Sequence, residues 1–219
     1  MDFFIANFDR IVAASLRHLE ITAIAVGVAL LVGIPLGILA ARVRLVGGAV
    51  LAVVSLIYTV PTLAMFGLMI PFLGIGLVPA LAAIILYSLL PVVQNTYTGI
   101  RSVQPEVIEA ATGLGMGSWQ LLLRVELPLA LVVLMAGVRV SVVNAVGLAT
   151  LASLIGAGGL GDLVFRGIAM VSLTAVMAGS LPIILMAVLA DVAMKAAERR
   201  LAARTTGHGV PVIMEAQRS

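Results

Sequence analysis

Hydrophobic residues make up 62% of the 219-residue chain and charged residues only 11%, with a mean hydropathy of +1.23. Soluble domains carry about 25% charged residues, so a soluble globule is excluded and the chain belongs in a bilayer. A net charge of +3 and a pI near 10.0 do not indicate a nucleic-acid partner, because the basic residues form no stripe interleaved with aromatics. They cluster instead at the ends of apolar spans, as in the cytoplasmic loops of membrane proteins. With no cysteine there is no disulfide framework, thiol chemistry or cysteine metal site. The two imidazoles, His18 and His208, have no partner at ligand spacing.

Met1 to Glu20 opens with Asp2 and lacks a basic start, so it does not read as a secretory signal. Phe4, Phe8, Ile11 and Val12 recur at helical spacing, which predicts an interfacial amphipathic helix. Ile21 to Ala41 is then uncharged for 21 residues, enough for about 30 Å of hydrocarbon at about 1.5 Å per residue. Between Leu45 and Ile100 lie 56 residues without a charge, too many for one helix and about right for two. Proline and glycine cluster at Pro71 to Pro79, so the spans are placed at 48–70 and 79–96.

The next stretch, 99–127, is the longest internal part of the chain that water tolerates. Pro105 suits a first helical position, and Glu106 and Glu109 suit the positive end of its dipole. Gly113, Gly115 and Gly117 supply a turn, and Ser118 is placed to cap a second helix running toward Pro128. Two further spans are expected at 128–150 and 173–194, separated by the glycine-rich Gly156-Ala-Gly-Gly-Leu-Gly161-Asp162. Residues 1–201 thus read as a single membrane domain, and 202–219 as a short polar tail expected to be disordered. With the 99–127 loop inside, nine Lys and Arg residues fall on the cytoplasmic side and Arg10, Arg17 and Arg166 outside. That asymmetry predicts an outside N-terminus and a cytoplasmic C-terminus.

Enzymatic constellations are missing from the pattern. The glycine run lacks a following Lys-Ser/Thr and a preceding strand, so it is no phosphate loop. Gly179-Ser180 has no histidine in the later spans to serve as base. Gly137, Ser141 and Asn144 fall at i, i+4 and i+7, one stripe that reads as a helix packing seam, a dimer seam or the lining of a translocation path. Arg139 lies off that face, and such a charge in a membrane needs a partner or a wet route outward. Asp191, carbonyl oxygens or snorkelling can meet that need, and structural anchoring is the expected role. Tyr58, Tyr87 and Tyr97 could contribute to a cation cage, but their scatter reads first as packing and interfacial anchoring.

The spacing Glu109-Ala110-Ala111, three residues, Gly115, nine residues, Val125-Glu126-Leu127-Pro128 resembles the EAA loop of ABC-importer permeases, with Val125 where Ile is frequent. Asn95-Thr-Tyr-Thr-Gly-Ile-Arg-Ser-Val103 and Leu151 to Asp162, followed by Phe165-Arg-Gly167, resemble the osmoprotectant permeases for glycine betaine, carnitine and choline. Methionine-importer permeases share the size and a similar glycine run, and stand as the alternative. The resemblance implies an all-α, type I importer permease of five transmembrane helices, with an N-terminal interfacial helix and a cytoplasmic coupling helix. It implies coupling roles for Glu106, Glu109, Ala110, Ala111, Gly115 and Pro128. It further implies residence in a bacterial inner membrane and a second permease subunit, identical or paralogous. Two ABC ATPase subunits and an extracytoplasmic substrate-binding protein complete the implied assembly. No cofactor is expected in this chain, since ATP and Mg would be held by the ATPase. A channel or secondary transporter would lack the docking loop, and a scaffold would not need the Gly115 corner.

Overall fold

In the computed structural model, which describes residues 2–206, the chain is helical throughout its described length apart from short turns. A short α1 (Asp2–Ala6) precedes α2 (Phe8–Arg42), and α3 (Arg44–Thr59), α4 (Thr62–Leu73) and α5 (Leu77–Arg101) follow. The 99–127 loop holds α6 (Pro105–Gly113) and α7 (Ser118–Leu121), and α8 (Leu127–Ala152), α9 (Gly161–Ala169) and α10 (Leu173–Thr206) complete the fold.

Three elements differ from the expectation. The expected N-terminal helix divides at Asn7, with Phe4 in α1 and Phe8, Ile11 and Val12 at the start of the 35-residue α2, which continues unbroken into the first span. Pro35 is accommodated within the span, as membrane helices often allow. The second span is broken by about 100° between α3 and α4. Pro61 supplies no N–H and crowds the residue before it, which holds Val60 extended at φ −65° and ψ 131°. The last helix runs through Thr206, so 202–206 are helical, and the rest of the expected tail lies outside the described residues.

The second loop helix also differs. Ser118 is its first residue rather than its cap, and the N–H of Gly117 donates to Gln120 Oε1 at 3.2 Å. The chain then passes without a corner through a π-helical turn at Leu122–Glu126 into α8. Pro128 explains that turn. Its ring lacks an N–H and would clash with the carbonyl one α-turn back, and the wider π turn relieves both. The N–H of Leu127 accordingly reaches back to the carbonyl of Leu122.

α5 is the central and most deeply buried span, clasped between α2 and α8. Small residues set how closely the helices approach. A Cβ on Gly37 would lie 2.5 Å from Thr96 Cβ, and one on Gly137 would lie 2.5 Å from Asn95 Cβ and the Pro91 carbonyl oxygen. Two sets of contacts define the ends of the bundle. Arg42 on α2 meets Ser118 and Glu126 at the loop end. At the other end the Gly76 N–H donates to Ile155 O at 2.8 Å, and His18 Nε2 lies 3.0 Å from Val146 O. Since α2 and α5 both finish at the loop end, α3 and α4 must together return the chain to the other. They therefore form one broken span, the second of five among the described residues.

Candidate coupling loop and translocation pocket

The loop helix α6 opens with Pro105 at its first position and carries Glu106 in its first turn. Glu106, Glu109 and Ala110 are exposed, and Ala111 is buried beneath them. Two bonds close the helix. The Gly115 N–H donates to Thr112 O at 2.9 Å and the Met116 N–H to Ala111 O at 3.2 Å. This is the double bond pattern of a Schellman cap, with Gly115 in the left-handed position at φ +81°. The spacing from Glu109-Ala110-Ala111 to Gly115 is therefore the spacing from a helix's last turn to its cap. Open space surrounds the Gly115 Cα, so backbone conformation alone selects glycine there.

Beneath α6 lies a cleft of about 500 Å³ bordered by Arg42, Arg101, Pro105, Ile108, Glu109 and Glu126. Arg42 Nη2 donates to Glu126 Oε2 at 2.6 Å and to the Ser118 carbonyl at 3.3 Å. Glu126 is nearly buried, its side chain 7% exposed. The loop is thus tied to the end of α2 as well as to its own neighbours α5 and α8. Pro128 is placed apart from the α6 face, just inside α8, where it shapes the π turn.

The stripe on α8 divides. Gly137 packs against Pro91 and Asn95 of α5, and Ser141 is fully buried and donates to the Ser88 carbonyl at 3.2 Å. Both belong to a seam within this chain. Asn144 is only half-buried and borders a cavity of about 530 Å³ at the α3–α4 break. Its Nδ2 donates to Tyr58 Oη at 3.4 Å. Tyr58 and Tyr87 meet edge to face there, with ring centroids 5.7 Å apart and planes inclined by 65°. The Tyr87 hydroxyl donates to the Val60 carbonyl at the break itself. Tyr97 is apart, at the loop end beside Arg101.

Arg139 faces α10, away from Asn144. Its Nε donates to Asp191 Oδ1 at 2.6 Å, and its Nη1 lies 3.6 Å from Glu198 Oε2. Lys195 adds a 2.8 Å contact to the other Asp191 oxygen. The charged cluster joins α8 to α10 rather than lining the pocket.

Sequence reasoning missed three relationships. Arg42 and Glu126 are 84 positions apart, and neither pattern names the other. The tyrosines converge because the chain breaks at Pro61, which carried the weak signal of a proline inside an apolar run. His18 is fully buried where an interfacial helix was expected, packed beneath Gly159 of the glycine run. The three glycines at 156, 158 and 159 have positive φ, and that run folds as a cap against α2 at Arg17 and His18.

Comparison with known proteins accords with this architecture. Residues 33–203 match the family described as "Binding-protein-dependent transport system inner membrane component". The glycine betaine/carnitine/choline transport system permease protein OpuCB of Bacillus subtilis (strain 168) is 39% identical over 201 residues, covering 92% of this chain and 93% of that protein. The osmoprotectant import permease protein OsmW of Salmonella typhimurium is 42% identical, covering 86% of this chain and 90% of its own. Among solved structures, an inward-facing MetNI methionine ABC transporter chain superposes with a TM-score of 0.79 at 21% identity, covering 87% of this chain and 95% of that one. An amino acid ABC transporter crystallised with histidines gives 0.76 at 17% identity, over 90% and 96%. At those identities the structural likeness establishes the fold, that of a type I ABC importer permease. By sequence, the chain belongs to the family of inner-membrane components of binding-protein-dependent transport systems.

Proposed function

We propose that the chain is the permease subunit of an ATP-driven importer for small quaternary ammonium osmoprotectants. The observation that carries the machine is the exposed α6 helix, capped at Gly115, in a loop that Arg42 ties to α2 through Ser118 and Glu126. It is a rigid projection, attached at both ends to membrane spans, of the kind an ATPase can push. Identity of about 40% to permeases named for glycine betaine, carnitine, choline and osmoprotectants supports the cargo class. Methionine is the weaker reading, because its support is a shared fold.

In this account α6 lies in the cytoplasm, seated on one of two ABC ATPase subunits that hold ATP and Mg. An extracytoplasmic binding protein delivers substrate to the end bearing the glycine cap. A second permease subunit, a copy or a paralogue, completes the path. Glu106, Glu109, Ala110, Ala111 and Gly115 form or shape the docking surface, and Pro128 sets the π turn that joins it to α8. Arg139 and Asp191 anchor α8 to α10, and Asn144 borders the path.

The test is uptake by proteoliposomes containing the permease with its ATPase and binding protein. ATP-dependent accumulation of labelled glycine betaine, carnitine or choline is expected, with methionine competing poorly. Accumulation of methionine with no response to those compounds would replace this cargo class.

A further inference from the structure

We propose that the cavity at the α3–α4 break is a binding subsite for a quaternary ammonium head group within the permease itself. The inference rests on the cargo class proposed above and deepens it, since it places a recognition step inside the membrane domain.

Four features converge there. Tyr58 and Tyr87 border the cavity and pack edge to face with ring centroids 5.7 Å apart, Tyr87 nearly buried and Tyr58 40% exposed, so Tyr58 supplies the accessible aromatic surface. The 16-residue α3 ends at the cavity, where Thr59 and Val60 lie, and the last carbonyls of a helix carry its partial negative charge. Asn144 is a polar side chain inside a transmembrane helix, a position that usually marks function. It holds the Tyr58 hydroxyl from the opposite wall. Finally, the volume of about 530 Å³ falls within the range of about 300–1,000 Å³ occupied by small-molecule sites.

What borders the cavity also selects the class of cation. Among the described residues, no carboxylate lines it. An inorganic cation needs several oxygen ligands, and a primary ammonium needs acceptors for three N–H groups. A quaternary ammonium needs neither, because it has no donor to satisfy and its charge is spread over methyl groups. Aromatic faces and helix carbonyls suffice for it. Tyr87 contributes as support, since its hydroxyl donates to the Val60 carbonyl at the break and its ring packs on Tyr58. The same head group occurs free in solution and on choline lipids, and the choice made here is the free solute.

Equilibrium binding of labelled choline to the permease–ATPase complex, without binding protein, tests the site. Nanodiscs of phosphatidylethanolamine and phosphatidylglycerol keep choline lipids away. Choline should bind, and its neutral carbon analogue 3,3-dimethyl-1-butanol should compete about tenfold worse. Tyr58→Phe, which keeps the ring, should retain that discrimination, and Tyr58→Leu should abolish it while the protein remains assembled. In proteoliposomes Tyr58→Leu should raise the KM for choline with the binding protein present and saturating. Equal binding of choline in the Leu variant and the parent would overturn the subsite while leaving the cargo class intact. Loss of choline binding when phosphatidylcholine is included would assign the site to lipid and overturn the substrate reading. A complex that transports methionine and no quaternary ammonium would instead remove the cargo class.

Discussion

The Arg42 guanidinium and the Glu126 carboxylate meet at 2.6 Å, joining the end of the first span to the π turn that leads into α8. Glu126 is nearly buried while Arg42 keeps partial access to water. Removing the arginine therefore leaves a desolvated carboxylate without its cation. Arg42→Ala should lower the stability of the purified protein by about 1–3 kcal/mol. It should also reduce uptake per ATP hydrolysed, because the loop loses its brace. The exchanged pair Arg42→Glu with Glu126→Arg should recover part of both. Unchanged melting and unchanged coupling in Arg42→Ala would show that the pair braces nothing.

The five-span topology predicts which positions impermeant thiol reagents reach in intact cells. The cysteine-free sequence needs no background removed. Cysteines replacing Ile75 and Val171, both well exposed at the end opposite α6, should be labelled from outside. A cysteine replacing Gly113, in α6, should be labelled only after the membrane is opened. Gly159 is unsuited to such a test, because a side chain there would press on His18. Labelling of position 113 from outside would reverse the orientation.

The packing seam predicts a contrast along one helix face. Gly137→Ala would place a methyl group 2.5 Å from backbone and side-chain atoms of α5. Overpacking of that kind costs about 1–3 kcal/mol. Asn144→Ala, two turns on, should leave stability near that of the parent, because Asn144 borders open volume. Thermal unfolding of the two variants in the same detergent compares them, and equal destabilisation would refute the division of the stripe.

In the α8–α10 cluster one acid serves two bases. Asp191 contacts Arg139 through one oxygen and Lys195 through the other. Arg139→Gln leaves Asp191 paired with Lys195, whereas Asp191→Ala leaves Lys195 without this acid and Arg139 with only its longer 3.6 Å contact to Glu198. The aspartate variant should accordingly accumulate and melt lower than the arginine variant. The opposite order would show that the aspartate is not the hub.

The sequence was most legible where a physical requirement is local. Proline at the start of α6, glycine at its cap and the uncharged length of each span all act within a few residues. Those features match helices of the structure, with the loop proline and glycine at the two ends of α6 and the apolar lengths within α2, α5, α8 and α10. Reading failed where the deciding partner is distant in the chain. Pro61 lies inside an apolar run, and nothing near it in the sequence shows that a span turns there through about 100° or that Tyr58 meets Tyr87. Gly137, Ser141 and Asn144 share a helical spacing, but periodicity cannot say what meets each residue, and the first two pack on α5 while Asn144 borders the cavity. Arg139 and Asp191 were named as possible partners from charge alone, and the further contacts to Lys195 and Glu198 follow from the extra length of α10.

The central claim is that α6, held rigid by its Gly115 cap, transmits ATP hydrolysis to the membrane spans. Gly115→Val puts a β-branched residue at φ +81°, where the space is open but the backbone is unfavourable. The change should cost about 1 kcal/mol or more and redirect the helix. Glu109→Lys reverses a charge on its exposed face. The decisive measurement is substrate uptake per ATP hydrolysed in proteoliposomes containing the Gly115→Val, Glu109→Lys protein with its ATPase and binding protein. The account predicts normal membrane insertion with uptake abolished, through lost ATPase binding or through hydrolysis that no longer drives transport. Parental uptake at parental coupling in that double variant would contradict it.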